Sequence, residues 1–301
     1  MLTRRRLIAI SAAAALVPLR AQATPRLWTG QALGARASIR LDHPDGAAIA
    51  ACVLAEIDRL EDILSLYRPD SALSRLNRHG HLDAPPFELL ECLAIAGAVH
   101  QASGGRFDPT VQPLWALWAE AAAMGRRPEA QAREAALRRT GWDGLRMDSA
   151  AITLRPGMAL TLNGIGQGYV ADRVAALLAA EGLDDILIDT GELRAIGGQP
   201  GGGGWPVRLL PQGQVALHQR ALATSAPRGT TFDAAGLDGH VLDPNSGQPC
   251  APRWQAVSVS APTAAVADAL STAACLMPDR AAILDLLGRF DGARLEGATP
   301  A

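Results

Sequence analysis

The sequence predicts an α+β protein, with helices packed on a sheet and no repeating strand–helix–strand unit. Three observations carry this. The first part of the chain repeats apolar residues every three or four positions, which is the helical period. Beyond Gly141, short runs of β type appear, separated irregularly by helical stretches. No internal repeat is present, and 301 residues with 49% hydrophobic content are ample for a sizeable core, in one large domain or two small ones.

Taken in order, residues 46–66 place Ile49, Val53, Ile57, Leu60 and Leu64 on one helical face. Pro69-Asp70-Ser71 breaks that helix, and Ser71 can cap a short one through Leu76. An apolar helix from Pro86 to Ala102 ends at Ser103-Gly104-Gly105, and residues 129–140 read as a short charged helix. Strands are expected at 151–155, 158–162, 185–189, 205–210, 214–218, 221–225 and 255–260. Helices are expected at 166–181, 263–276 and 279–288. Gly197 to Gly204 lacks the Gly-Lys-Ser/Thr ending of a phosphate-binding loop, so it reads as a surface connection. The tail after Arg289 reads as frayed.

The N-terminus has the composition of a targeting segment. Arg4-Arg5-Arg6 precedes an apolar run from Ala9 to Pro18, and Ala21-Gln22-Ala23 offers a small-x-small cleavage site. The paired arginines match the twin-arginine export pattern, so residues 1–23 are expected to be a signal peptide and 24–301 one exported, periplasmic domain. The apolar run is too short for a permanent span of a hydrocarbon core about 30 Å thick. Removal of Arg4, Arg5, Arg6 and Arg20 leaves 24 basic against 30 acidic residues, a net charge of −6. Such a balance excludes general attraction to nucleic acid. All 28 basic residues are arginine, so no lysine is on hand for catalysis. Cys52, Cys92, Cys250 and Cys275 form no metal-binding spacing and read as small apolar side chains.

Four clusters can carry chemistry. Gly105-Arg106-Phe107-Asp108-Pro109-Thr110 presents acid and hydroxyl oxygens beside a rigid proline. Thr161 to Tyr169 runs an apolar segment into a helix through Gly164, Gly166 and Gly168, where backbone can approach a ligand closely. Gly239-His240-Val241-Leu242-Asp243-Pro244 sets a histidine near an acid. Asp268 and Thr272 stand at i and i+4 on one helical face, a pair of hard oxygens suited to Mg²⁺. Each cluster alone also has a structural reading as a turn, a cap or a dipole-compensating charge.

Together and in this order, the clusters resemble the ApbE-type FAD:protein FMN transferases. Tyr67-Arg68-Pro69-Asp70-Ser71-Ala72-Leu73-Ser74-Arg75-Leu76-Asn77 is similar to the family's "YRPDSxLSRLN", and Gly105 to Val111 to its "GxFDPTV". Ala223-Thr224-Ser225 is similar to its "ATSG", and His240 to Pro244 and Ala267 to Thr272 match its remaining blocks. The resemblance spans about residues 28–290. It implies a single two-lobed, T-fold-like α+β domain with FAD between the lobes. The implied reaction splits FAD, moves FMN to a threonine or serine hydroxyl of a target flavoprotein, and releases AMP. By the same resemblance, Asp268, Thr272 and the Gly164 carbonyl hold Mg²⁺, and His240 is the base. The resemblance also implies that Leu33, Tyr67, Asp108, Thr110, Thr161, Asn163, Gln167, Thr224, His240 and Asp243 contact FAD.

The chain departs from the family pattern in three places. Thr161 and Gln167 replace the acid and lysine of "DLGGIAKGY", and Leu33-Gly34-Ala35 replaces "MGT". The "TLNGIxQGY" form resembles the branch linked to nitrous oxide respiration, whose implied acceptor is a membrane-bound flavoprotein with an exported flavin domain. Two rivals share these motifs: an FAD pyrophosphatase that uses water as acceptor, and a periplasmic flavin carrier without catalysis.

Overall fold

The computed structural model describes residues 11–12, 26–33, 35–41, 45–184, 186–199, 202–209 and 213–301. The expected signal peptide, Ser11 and Ala12 apart, lies outside the described residues, as do the expected cleavage point and Gly34. The first strands are β1 (Ser11–Ala12), β2 (Arg26–Ala32) and β3 (Ala35–Leu41). A mostly helical stretch follows with α1 (Gly46–Leu64), α2 (Ala72–His79), β4 (His81–Asp83), α3 (Phe87–Ala102), α4 (Gln112–Ala123) and α5 (Ala130–Leu137). Next come β5 (Leu145–Met147), β6 (Ala151–Leu154), α6 (Gly166–Ala180), β7 (Ile186–Asp189), β8 (Leu193–Ile196), β9 (Trp205–Arg208) and β10 (Gln214–Leu217). The chain finishes with β11 (Ala221–Ser225), β12 (Trp254–Ala261), α7 (Ala264–Ala274), α8 (Arg280–Leu287) and β13 (Arg294–Pro300).

Eight strands form the main sheet in the order β13-β12-β11-β8-β7-β1-β3-β2, with β1 and β3 its one parallel pair among the described residues. β4-β6-β5 and β9-β10 make two small sheets. This is the expected α+β architecture. The α1 stripe of Ile49, Val53, Ile57, Leu60 and Leu64 is buried as its spacing predicts. Ser71 caps α2: its Oγ accepts from Ser74 N at 3.0 Å and donates to the Ser65 carbonyl at 2.6 Å. Gly80 ends α2 at φ +70°, where glycine carries no steric penalty.

Two expectations are corrected. The run 158–162 is not a strand, although Met158, Leu160 and Leu162 are buried. Its backbone is satisfied without a ladder: Asn77 Oδ1 accepts from Leu160 N at 2.7 Å, Asn77 Nδ2 donates to the Leu160 carbonyl at 2.8 Å, and Thr161 N donates to the Pro109 carbonyl at 2.8 Å. The tail after Arg289 is not frayed, because β13 pairs antiparallel with β12 and closes one edge of the main sheet. α4, β2, β3, β4, β5 and β8 are not evident in the sequence. The cysteines are free: Cys92 and Cys275 are buried as expected, Cys250 is partly covered and Cys52 is exposed.

Among the described residues, no helix is long and apolar enough to cross a membrane. The site is positioned by α6 and α7, which cross in close contact. A Cβ added to Gly168 in α6 would lie 2.2 Å from the Ala264 carbonyl oxygen at the start of α7. Only a residue without a side chain permits that approach.

Candidate active site

A cavity of about 490 Å³ opens between α7, the turn before α6, the loop after α3 and the loop that carries His240. Its walls include Tyr67, Asp108, Thr161, Asn163, Gly164, Thr224, His240, Asp268 and Thr272. Sequence-distant candidates therefore converge on one space, with Phe107, Pro109, Val111, Trp115 and Leu242 as apolar lining.

The α7 wall carries the acid and the hydroxyl. Asp268 is only 4% exposed, and Gly168 N donates to its Oδ2 at 3.2 Å. Thr272 follows one turn later, with its Oγ1 3.2 Å from Ser225 Oγ, which also lies 2.7 Å from Ser271 Oγ. Ser225 comes from β11, so the sheet fixes the rotamer of the α7 hydroxyl. Gly164 faces the same spot: a Cβ there would stand 3.2 Å from Thr272 Oγ1 and 3.2 Å from Phe107 Cε2. Glycine at 164 thus brings its peptide against Thr272. The turn it occupies is held by Ile165 N and Gly166 N, both donating to the Leu162 carbonyl.

His240 sits on the opposite loop, half-buried. The Thr230 carbonyl accepts from both its backbone N–H and its Nδ1, each at 3.0 Å. A carbonyl cannot donate, so Nδ1 carries the proton in neutral imidazole and Nε2 carries the lone pair. That is the tautomer of a general base.

Asp108 accepts from Thr110 N at 2.8 Å, and burial pushes its carboxyl above the usual carboxylate range. Arg106 lines the cavity while its Nη1 donates to the Leu276 carbonyl at 3.1 Å. Tyr67 is 64% exposed at the mouth.

Four expected FAD contacts do not line the cavity. Thr110 is fully buried, and its Oγ1 accepts from Gly141 N at 2.7 Å, which makes it a brace for the Asp108 turn. Gln167 lies in the first turn of α6, where its carbonyl accepts from Thr190 Oγ1 at 3.2 Å. Asp243 closes its own turn, with Oδ1 accepting from Asn245 N at 2.9 Å. Leu33 packs over Gly166, and its N–H meets Glu61 Oε1.

Several cavity residues lie outside the clusters read from the sequence, Trp115, Thr230 and Glu192 among them. Glu192 is 3% exposed and lines the cavity, with its Oε2 accepting from Thr224 N at 3.3 Å. The only hint was an acid in the turn Asp189-Thr190-Gly191-Glu192 between two apolar strands. Among the described residues there is no cluster of three or more His, Cys, Asp or Glu that could hold a metal. The donor set on the α7 wall is instead one carboxylate, one hydroxyl and a neighbouring peptide.

The ApbE family profile matches residues 33–292. A FAD:protein FMN transferase of Klebsiella pneumoniae is 30% identical over 295 residues, covering 89% of this chain and 83% of the relative. The apo structure of the Pseudomonas stutzeri flavinyl transferase ApbE superposes with a TM-score of 0.78 at 29% identity, covering 94% of this chain and 96% of that one. The Thermotoga maritima ApbE protein superposes with a TM-score of 0.80 at 27% identity, covering 92% and 96%. With the family profile spanning most of its length and the fold shared throughout, this chain belongs to the ApbE family.

Proposed function

We propose that this chain is a Mg²⁺-dependent FAD:protein FMN transferase that moves FMN onto a threonine or serine hydroxyl of an acceptor flavoprotein. The observation that carries the reading is the convergence of Asp268, Thr272, Gly164 and His240 on one cavity. In the reaction, the acceptor oxygen bonds to the FMN phosphorus, the pyrophosphate P–O bond to AMP breaks, and AMP leaves. His240 Nε2 takes the hydroxyl proton, and the Thr230 carbonyl holds the ring in the tautomer that can do so. The apolar walls around Phe107 and Trp115 exclude water from the transfer. The hard oxygens of Asp268, Thr272 and the Gly164 carbonyl fit Mg²⁺, which supplies charge neutralisation on phosphate oxygens when bound.

The test is incubation with FAD, Mg²⁺ and a candidate flavoprotein, followed by in-gel flavin fluorescence and AMP quantification. Covalent fluorescence with equimolar AMP is expected, and Asp268→Asn should abolish both while the protein still folds. AMP without labelled acceptor would favour the pyrophosphatase, and FAD binding without AMP release would favour the carrier. The proposed acceptor is an exported flavoprotein, such as a membrane flavoprotein of nitrous oxide respiration, in keeping with the "TLNGIxQGY" form. We further propose export to the periplasm by the twin-arginine route. Replacing Arg4 and Arg5 with lysine should leave uncleaved precursor in the cytoplasm, and normal periplasmic accumulation would refute the route.

A further inference from the structure

We propose that Asp172 is a positioning residue of the site: it caps α7 from the neighbouring helix and thereby fixes where Asp268 and Thr272 stand. The inference rests on the metal reading given above.

α7 has no cap of its own. Thr263 occupies the N-cap position with extended backbone, yet its side chain makes no capping hydrogen bond. The first N–H groups of a helix need partners, most of all when buried, and Ala264 and Ala265 are 0% and 1% exposed. Asp172 supplies them from α6. Its Oδ1 accepts from Ala264 N at 2.8 Å and its Oδ2 from Ala265 N at 2.9 Å. Both carboxylate oxygens are thus spent on two successive amides of another helix, and the negative charge stands at the positive end of the α7 dipole. Arg194 Nε lies 3.2 Å from Oδ1 and forms an ion pair with the carboxylate.

The same two helices meet again one turn on. Gly168 N, four residues before Asp172, donates to Asp268 Oδ2, four residues after Ala264. Gly168 also lets the Ala264 carbonyl come within 2.2 Å of where a Cβ would be. α6 therefore grips α7 at its first two amides through Asp172 and at the Asp268 carboxylate through Gly168. Fraying of the first α7 turn would tilt or translate Asp268, which begins the second turn. Residues that orient metal ligands without touching the metal typically matter by about 10–100-fold in affinity.

The experiment uses the full chain and two readouts. Mg²⁺ binding is measured by calorimetry, and AMP release is followed against Mg²⁺ and FAD separately. Asp172→Asn keeps one acceptor oxygen and sets an NH₂ against the other amide, so half-saturating Mg²⁺ should rise about tenfold. The KM for FAD at saturating Mg²⁺ should stay within about twofold. Adding Thr263→Asp gives α7 a local cap at an exposed position and should bring the Mg²⁺ requirement back towards wild type while supporting the fold. A lower melting temperature with unchanged Mg²⁺ half-saturation would overturn the inference and leave Asp172 a structural cap only. Failure of Thr263→Asp to restore Mg²⁺ binding in a folded double variant would also overturn it. A wild-type protein that turns over without Mg²⁺ would overturn the metal reading itself, and the inference with it.

Discussion

At the scale of single residues, the site divides into groups that act and groups that hold them. His240 is the one half-buried base on the cavity wall whose tautomer is set by a carbonyl. General-base catalysis contributes about 10²–10⁴-fold, so His240→Ala should slow FMN transfer by that factor with a smaller effect on FAD binding. A base works only when unprotonated, so the wild-type rate should climb as pH rises through the imidazole titration, and the variant should lose that limb. An unchanged rate and profile would make His240 structural. Asp108 bears on stability instead. Its carboxyl is raised by burial, so the folded state holds its proton to higher pH than the unfolded chain does. Its contribution to stability therefore falls as pH rises from the unfolded to the folded titration. Asp108→Asn keeps the acceptor for Thr110 N, and its melting temperature should therefore decline less than wild type between acidic and neutral pH. Parallel declines would show that Asp108 is not the group responsible. These roles were only partly visible in the chain. Asp268 and Thr272 could be read from helical spacing, whereas Glu192 reaches the cavity through a strand turn whose direction no local pattern encodes.

At the scale of elements, the pairing of α6 and α7 decides whether the site exists. The glycines before and within α6 read as places for ligand approach, and Gly164 does line the cavity. Gly168 serves another end, because its missing side chain admits a second helix. Gly168→Ala would drive a methyl into the Ala264 carbonyl, so the helices must separate. Overpacking of this kind costs about 1–3 kcal/mol, and denaturant unfolding should show that loss together with weakened Mg²⁺-dependent turnover. A variant equal to wild type in both would mean that α7 can shift freely. Helices with strong apolar periods, such as α1, were legible almost to the residue. The run 158–162 was not, since its alternation is genuine but a side-chain amide from Asn77 satisfies the backbone in place of a partner strand.

At the scale of the whole molecule, the two edges of the main sheet are β13 and β2. β13 had the appearance of a tail because its sequence, Arg294-Leu295-Glu296-Gly297-Ala298-Thr299-Pro300, is polar and glycine-containing. Those properties suit an edge strand, which must discourage further pairing. A chain ending at Ala293 would uncover β12, whose Val257, Val259 and Ala261 are fully buried. Such a chain should form soluble aggregates or inclusion bodies, as seen by size-exclusion chromatography; a monodisperse product would show the strand to be dispensable. The cavity has a similar dependence on completeness. Its walls are drawn from stretches between Tyr67 and Leu276, so a chain that stops short of Leu276 does not enclose it. Under the proposed function, flavin capture would then report finished folding: a half-made chain has no place to hold the dinucleotide, and yellow colour in a preparation would count completed molecules.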